Sequence, residues 1–303
     1  MKAITGNSWE FPVRTSRLAG VSSLSAGVLL ALFACTRGRP HPPNTSPAPA
    51  REASAVTEIE SWSPRITSSS HKYFLRDSSI ISIDNDTVTQ PLPIETTMIY
   101  SVIIVPSGDS YSVVGQVDSS TINSRLQTRA VASDTASINI FHGALSSRGE
   151  LQSSSVLQPT NCSSASNAAT TRIYELILPY PKDKIKIGDK WSDTLSITSC
   201  HGRTPLTQHM IREFEVTEFT TWHQQSVVEV RRLTSITFTG ASSETNTHLS
   251  ADGSGSGEAS LVIDRNTAVL LESISHTKST LTIVTSRGAF PFTQATSTFI
   301  TTK

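Results

Sequence analysis

Cysteine and histidine are the residues of this sequence with the clearest potential for chemistry. The chain has 303 residues, with three cysteines and eight histidines. Cys200-His201, with His209 and His223, could form a metal site or a thiol–imidazole pair, but only if Cys200 were a free thiol. The histidines show neither H-x-H nor H-E-x-x-H spacing. We therefore predict no metal centre, no cofactor and no catalytic residue.

The other candidates for chemistry are predicted to be structural. The run at 251–260 fits neither a phosphate-binding loop nor a nucleophile elbow, because Glu258 replaces the last glycine and Gly255 the serine. We predict a turn or a glycine-thinned strand there. The acidic residues of this half are expected on solvated turns and outward strand positions: Asp189, Asp193, Glu213, Glu215 and Glu218. The chain is accordingly predicted not to be an enzyme.

The first residues have the pattern of an export signal. Lys2, Arg14 and Arg17 give a basic start, and the uncharged, mostly apolar run at 18–33 follows. That run is about 16 residues long, shorter than the roughly 20 that a membrane-spanning helix needs. A short apolar run behind a basic start is typical of a secretory signal peptide. We place the signal peptide at 1–34.

The end of the apolar run, Leu32-Phe33-Ala34-Cys35, resembles the lipobox of bacterial lipoproteins. The resemblance implies that Cys35 is acylated and becomes the new N-terminus, and several acyl chains anchor a protein stably. Thr36 is not the aspartate that marks inner-membrane retention in enterobacterial lipoproteins, so the outer membrane is favoured. The alternative is an ordinary secretory signal in which Cys35 is incidental.

Lipidation of Cys35 would leave Cys162 and Cys200 as one pair. In an exported protein such a pair favours a disulfide. It would close a loop of roughly 38 residues and contribute about 3–4 kcal/mol in the chain-entropy account. Two unpaired thiols or a metal pair are the alternatives.

The region after Cys35 is predicted to be a tether. Residues 35–67 are rich in Pro, Ala, Ser and Thr and poor in large apolar side chains, so they bury too little surface to fold. Pro favours extended conformers, which would hold the remainder of the chain away from a membrane.

Residues 68–303 are predicted to form an antiparallel, all-β body. Apolar and polar residues alternate with period two in runs such as 213–219, 226–240 and 281–286. The best helix candidate, 171–184, is interrupted by Pro179 and Pro181. The net charge is zero, so we predict no nucleic-acid partner.

An internal similarity suggests that the body is duplicated. A shift of about 114 residues aligns 81–83 with 195–197, 100–102 with 214–216, and 112–114 with 226–228. We predict two similar halves, 68–165 and 166–303, that share one core in a curved sheet, a sandwich or an open barrel.

A family resemblance agrees with this organisation. Leu178-Pro179, then IKIGDKW at 185–191, then the glycine-rich run before Leu261, resemble a family of uncharacterised bacterial lipoproteins. That family has an LP…KxGDxW motif and a late hairpin, although the hairpin here, at 264–268, lacks the usual glycine. The resemblance implies a β-rich fold and an envelope location, and no activity. We expect Trp191 to be a core anchor rather than a ligand-stacking residue.

Three functions are consistent with these features. The first is a non-catalytic envelope lipoprotein, anchored to a membrane through Cys35, that binds an unknown envelope protein or lipid. The second is a carrier of an apolar ligand in a half-barrel sheet, which requires an open apolar concave face. The third, a hydrolase, requires a nucleophile, a base and an oxyanion site in one cleft, and no motif indicates them.

Overall fold

The computed structural model describes residues 60–83, 91–124, 128–131, 140–154, 172–181, 183–201, 204–244, 247–285 and 288–303. All of them lie in one unit of the chain, Val56–Lys303. The predicted signal peptide, Cys35 and Cys162 lie outside the described residues. Lipidation of Cys35 and the Cys162–Cys200 disulfide therefore stay predictions.

Most of the described chain is β-strand. In chain order the strands are β1 (Ser61–Trp62), β2 (Ser69–Ile83), β3 (Pro91–Ser107), β4 (Ser110–Ser124), β5 (Thr128–Val131), β6 (Ile140–Leu145), β7 (Leu151–Ser154), β8 (Ile185–Lys186), β9 (Lys190–His201), β10 (Thr204–Trp222), β11 (Gln225–Glu244), β12 (Thr247–Asp264), β13 (Leu270–Thr285) and β14 (Gly288–Thr302). Within the described ranges the one helix is a single turn, α1 (Ile173–Leu176). No helix in those ranges is long and apolar enough to cross a membrane.

Twelve strands form one antiparallel sheet that curls into a half-barrel. The order across it is β7-β6-β4-β3-β2-β14-β13-β12-β11-β10-β9, and β5 pairs with β4 outside this path. β1 and β8 form a separate two-stranded ribbon. The predicted all-β, antiparallel curved sheet is confirmed, in the form of an open half-barrel.

The sheet consists of two meanders. β2 to β7 form the first, β9 to β14 form the second, and β14 pairs with β2 to join them. Read across the sheet in one direction, the first meander goes from β7 to β2 and the second from β14 to β9, so each is met from its last strand to its first. One hydrophobic core contains side chains of both, such as Tyr100 and Phe141 with Phe214 and Leu261. The duplication itself stays a prediction.

Alternation along the strands determines which face is buried. On β10, Arg212, Phe214 and Val216 are buried, whereas Glu213, between the first two, is exposed. On β2, Tyr73 and Leu75 are buried in the same way. Because successive side chains of a strand point to opposite faces, one face of the curled sheet is apolar and forms the concave interior.

A short segment at 172–181, which we call the plug, fills one end of this interior. Its side chains Ile173 and Tyr174 are buried, and the ring of Tyr174 packs edge-on against Phe141 at 5.4 Å. A Cβ atom at Gly115 would lie 2.5 Å from the Ile173 side chain, so the missing side chain of this glycine admits the plug. The prolines at 179 and 181 prevent α1 from continuing, as the sequence predicts.

Hydrogen bonds fix the plug to both meanders. The Tyr180 amide donates to the carbonyl of Arg148 at 2.7 Å, in the β6–β7 turn. The Tyr180 hydroxyl donates to the carbonyl of Ala268 at 2.9 Å, in the β12–β13 turn. Trp191 Nε1 donates to the carbonyl of Pro179 at 2.8 Å. The plug therefore bridges one turn of each meander.

The motif at 185–191 is structural. Trp191 is partly buried, packs against the hydrophobic core and stacks on Phe214, with their ring centroids 5.2 Å apart and nearly parallel, which agrees with its predicted anchoring role. Ile185 is buried in β8. Ile187 does not share this burial, because it lies in the turn before Gly188, whose φ is +86°, and its side chain is exposed.

The ordered body begins before the predicted boundary at residue 68. Trp62 and Ile66, which the sequence analysis assigns to the tether, are buried in the core. Trp62 packs edge-on against Tyr180 and donates a 2.8 Å hydrogen bond to the carbonyl of Arg265. The tether prediction is therefore wrong for these residues, because two large apolar side chains and the β1–β8 pairing offset the ordering entropy.

The glycine-rich run is a strand, which confirms the prediction of a glycine-thinned strand. It lies inside β12, between β11 and β13. A Cβ atom at Gly253 would lie 2.2 Å from the carbonyl oxygen of Thr280, and one at Gly255 would lie 2.8 Å from the Cβ of Ser279. The inward glycines thus permit a close approach of β13 that no other residue allows.

Candidate ligand-binding site

An open groove lies beside the plug on the concave face. Its cavity volume is about 280 Å³. The groove is lined by three residues of the plug and by five strands of the second meander, β9, β10, β11, β13 and β14. The lining residues are Arg172, Tyr174, Glu175, Leu195, Ile197, Gln208, Met210, Arg212, Arg232, Thr234, Ile236, Phe238, Ser275, Thr277, Ser279, Gln294, Thr296 and Thr298. This volume is near the lower end of small-molecule sites.

The wall of the groove has an apolar side and a polar side. β9, β10 and β11 contribute the apolar side chains: Leu195, Ile197, Met210, Ile236 and Phe238. β13 and β14 contribute hydroxyl and amide groups: Ser275, Thr277, Ser279, Gln294, Thr296 and Thr298. Charged residues cluster at the plug end: Arg172, Glu175, Arg212 and Arg232. Such a surface matches an amphipathic molecule better than a pure hydrocarbon.

Two arginines at the plug end are held by carboxylates. Arg172 contacts Asp77 at 2.9 Å and Glu175 at 2.6 Å. Arg212 Nε donates to Asp193 Oδ1 at 2.8 Å, and its Nη2 contacts the other oxygen of the same carboxylate. Both arginines therefore form ion pairs with good geometry, and Arg212 is the more deeply buried of the two.

Burial and these charges move the pKa values of the two acids in opposite directions. Burial raises the pKa of Asp77 above its ordinary value, and Arg172 and a hydrogen bond from Thr298 offset this only in part. Burial also acts to raise the pKa of Glu175, but Arg172, Arg232 and Arg212 outweigh it and hold that pKa below its ordinary value. Glu175 is therefore the acid that the arginine cluster stabilises in its charged form.

Arg232 lies on the concave face of β11 beside this network and lacks a comparable partner. It is 7% exposed, and its Nε has no hydrogen-bond partner. Among the residues that the structure describes, no carboxylate lies within ion-pair distance of its guanidinium. The pKa of Arg232 is below its ordinary value, because burial, with Arg212, lowers it by more than Glu175 and Asp193 raise it. Arg232 is therefore a buried cation at the wall of an open groove, and an acceptor supplied by a ligand would give it a partner.

Sequence reasoning placed one of these acids incorrectly. Asp193 is not on a solvated face, because it lies two residues from both Trp191 and Leu195 in the strand and shares their inward face, where it binds Arg212. Glu213 and Glu218 are exposed, as predicted. The sequence does contain the signal for the site: Arg212 and Arg232 occupy inward positions of two neighbouring strands.

The histidines are not brought together. His209 lies inside β10 and His223 lies 14 residues later, in the turn that follows this strand, so an extended strand of several tens of ångströms separates them. Cys200 lies in β9, where its backbone pairs with Pro205. Within the described residues, no group of three or more His, Cys, Asp or Glu side chains could hold a metal ion.

Two serine–histidine contacts were not predicted. Ser196 Oγ lies 2.7 Å from His209 Nδ1, and Ser297 Oγ lies 3.0 Å from His276 Nδ1. Both are exposed pairs of residues that face each other across neighbouring strands. In the described part of the chain, neither histidine has a hydrogen bond to a carboxylate that would orient it as a base.

A second hollow lies on the outer face of the sheet. Its volume is about 720 Å³, and it crosses the middle of six strands, β2 and β10 to β14. Ile80 and Leu233, which are 50% and 40% exposed, provide apolar surface there. Charged and polar side chains surround them: Glu213, Glu258, His276, Lys278 and Ser297.

Comparison with protein-family models, with curated proteins and with solved structures found no match for this chain. The resemblance to the uncharacterised lipoprotein family stays a prediction.

Proposed function

We propose that this chain is a non-catalytic binding module of the cell envelope, anchored to a membrane through lipidated Cys35, whose concave groove binds a small amphipathic ligand. The observation that carries this proposal is the open part of the half-barrel interior. The plug and the core fill one end, while about 280 Å³ beside them stays open and keeps an apolar wall. An apolar surface of this kind gains free energy when a ligand removes it from water.

The geometry supports a carrier of single small ligands. The apolar wall lies inside a curved sheet, so a ligand would contact several strands at once. Each CH₂ group that it buried would contribute about 0.8 kcal/mol. A lipidated N-terminus would keep the groove close to a membrane, which is a source of amphipathic molecules.

The experiment is a binding titration of the purified full chain with N-phenyl-1-naphthylamine, a neutral apolar fluorophore. Gln208→Trp fills the groove, because Gln208 lines it. Ile211→Trp adds the same side chain on the opposite face of the same strand, where Ile211 is 52% exposed, and serves as the control.

We expect Gln208→Trp to weaken binding about tenfold, which corresponds to about 1.4 kcal/mol, and Ile211→Trp to leave it unchanged. Absence of binding by the unsubstituted chain would overturn the proposal. Equal affinities of the two variants would do the same, because binding would then occur elsewhere.

The outer-face hollow favours a second candidate, a module that binds an envelope protein. Ile80 and Leu233 are large exposed apolar side chains in a hollow of about 720 Å³. A photo-crosslinking residue at position 233 should give a discrete crosslinked product in the envelope. The same residue in place of the exposed Ile122, on the first meander, should give none. Identical product patterns at both positions would rule this candidate out.

A further inference from the structure

We propose that the groove recognises an anionic head group, a carboxylate or a phosphate, through Arg232, and that the apolar chain of the same ligand lies along β11. This inference rests on the proposed function and specifies its ligand class. The juxtaposition that supports it is a buried arginine, whose Nε has no hydrogen-bond partner in the described part of the chain, at one end of an open groove whose wall continues as apolar side chains.

Within the described residues, Nε of Arg232 is one of two buried side-chain polar atoms without a hydrogen-bond partner, and it is the one that belongs to a charged group. A guanidinium group has five N–H donors in a planar fork that matches a carboxylate or a phosphate. Arg232 is 7% exposed, its Nε has no hydrogen-bond partner, and the described residues provide no ion pair for it. Burial of a charged donor without an acceptor is costly, so an acceptor from a ligand would relieve that cost.

The neighbouring charges leave Arg232 as the available cation. Glu175 is engaged with Arg172 at 2.6 Å, and Asp193 is engaged with Arg212 at 2.8 Å. These carboxylates act on Arg232 only through space. A second anion arriving from outside would therefore bind to Arg232 without displacing an existing ion pair.

The direction of β11 supplies the apolar part of the site. Thr234, Ile236 and Phe238 follow Arg232 on the same face of the strand, and all three line the groove. Six residues of strand correspond to about 20 Å. A ligand with its head group at Arg232 can thus extend its chain over Ile236 and Phe238, while the hydroxyl-rich β13 forms the other side.

The test compares dodecanoate, dodecyl phosphate and dodecan-1-ol as competitors of N-phenyl-1-naphthylamine on the full chain. The three share a chain and differ in the head group. Arg232→Gln removes the cation, and Arg232→Lys retains a charge. Arg231→Gln is the control, because Arg231 lies next in the strand, faces outward and contacts Glu258 at 3.2 Å.

We expect the unsubstituted chain and Arg231→Gln to prefer at least one of the two anions over the alcohol by at least tenfold. Arg232→Gln should lose this preference, and Arg232→Lys should retain part of it. The stronger of the two anions identifies the head group as a carboxylate or a phosphate.

Equal binding of the alcohol and both anions by the unsubstituted chain would overturn the inference, and so would an anion preference that survives in Arg232→Gln. In either case, displacement of the neutral fluorophore would leave the proposed function standing.

If Arg232→Gln does not fold, a second measurement on the unsubstituted chain tests the inference. It follows the titration of bound dodecanoate that carries a ¹³C label in its carboxyl group. The bound carboxylate should titrate at lower pH than the free acid, and an unchanged or raised titration pH would contradict the inference.

Discussion

At the residue scale, Ala268 has an unfavourable backbone conformation in the turn between β12 and β13. Its φ is +56°, in the left-handed region that costs a residue with a Cβ atom about 1–2 kcal/mol. The first meander has Gly149 in its corresponding turn, with φ +77°. Asp264 and Ser146 begin these two turns, and each accepts a hydrogen bond from the amide two residues later.

Replacement of Ala268 by glycine should therefore stabilise the protein. We expect Ala268→Gly to raise the free energy of unfolding by up to about 1 kcal/mol, measured by chemical denaturation. Ala295→Gly is the matched control, because Ala295 is exposed inside β14, where glycine should cost about 0.5–1 kcal/mol. Destabilisation by both substitutions would show that the φ of Ala268 carries no strain.

A second residue-scale prediction concerns pH. Burial opposes the charge of Glu175, but Arg172, Arg232 and Arg212 hold its pKa below the ordinary value of 4.5. The stability that Glu175 contributes is therefore fully present above about pH 4.5 and is lost as the pH falls through its folded-state pKa. Asp77 acts in the opposite sense, because burial raises its pKa.

The Glu175→Gln variant isolates the contribution of Glu175. At pH 7 we expect it to be about 1–3 kcal/mol less stable than the unsubstituted chain, because it loses the charged hydrogen bond to Arg172. The difference should shrink as both proteins are denatured with urea at successively lower pH. A difference that stays constant from pH 7 to pH 3 would contradict this assignment.

At the element scale, β12 shows how sequence controls curvature. Its glycines at 253, 255 and 257 all point inward, between the larger side chains of β11 and β13. The residues that alternate with these glycines, at positions 252, 254, 256 and 258, point outward and are exposed. Because the glycines remove side chains only from the concave face, β13 can approach closely and the sheet can curl there.

Gly255→Val should therefore destabilise the protein strongly. The added Cβ atom would lie 2.8 Å from the Cβ of Ser279 and 2.9 Å from the carbonyl oxygen of Lys278. We expect a loss of about 1–3 kcal/mol in thermal or chemical unfolding. Ser256→Val places the same side chain on the exposed face of the strand and should change stability by less than about 0.5 kcal/mol. Similar losses in the two variants would mean that the inward face of β12 is not crowded.

The elements were more predictable than the site. Alternation such as that of Phe214 and Val216 depends on one chain segment and its burial, so the sequence predicts the strands and the sheet class. The site depends on which strands become neighbours. Arg212, Arg232 and Glu175 come from β10, β11 and the plug, and only the curled sheet brings them to one groove. Trp62 was misplaced for a related reason, because its partner Arg265 is 203 residues away.

At the scale of the whole molecule, the two meanders depend on each other. β14 pairs with β2 over most of its length, from Phe292 opposite Ile83 to Thr302 opposite Tyr73. A bulge of one residue recurs after the corresponding turns, at Gln152 in β7 and at Leu271 in β13. These parallels support the predicted duplication.

The plug adds a second dependence. It precedes the second meander in the chain, yet Ile173 packs where Gly115 leaves space and Tyr174 packs on Phe141, both in the first meander. The hydrophobic core combines side chains of both meanders, so we expect that neither meander can complete it alone. A chain divided between residues 165 and 166 should therefore give two pieces that do not fold separately.

We expect fragment 166–303, produced alone, to show no cooperative unfolding transition, because separation exposes the paired edge of β14 and the apolar plug. Mixing or co-expression with fragment 1–165 should restore a single transition and a 1:1 complex, measured by circular dichroism and analytical ultracentrifugation. A fragment 1–165 with Tyr100→Asp is the control, because Tyr100 is fully buried and a charge there should prevent complementation. A cooperative transition of fragment 166–303 by itself would contradict this prediction. It would show that the second meander is an independent domain, whose folding does not require the core that the two meanders share.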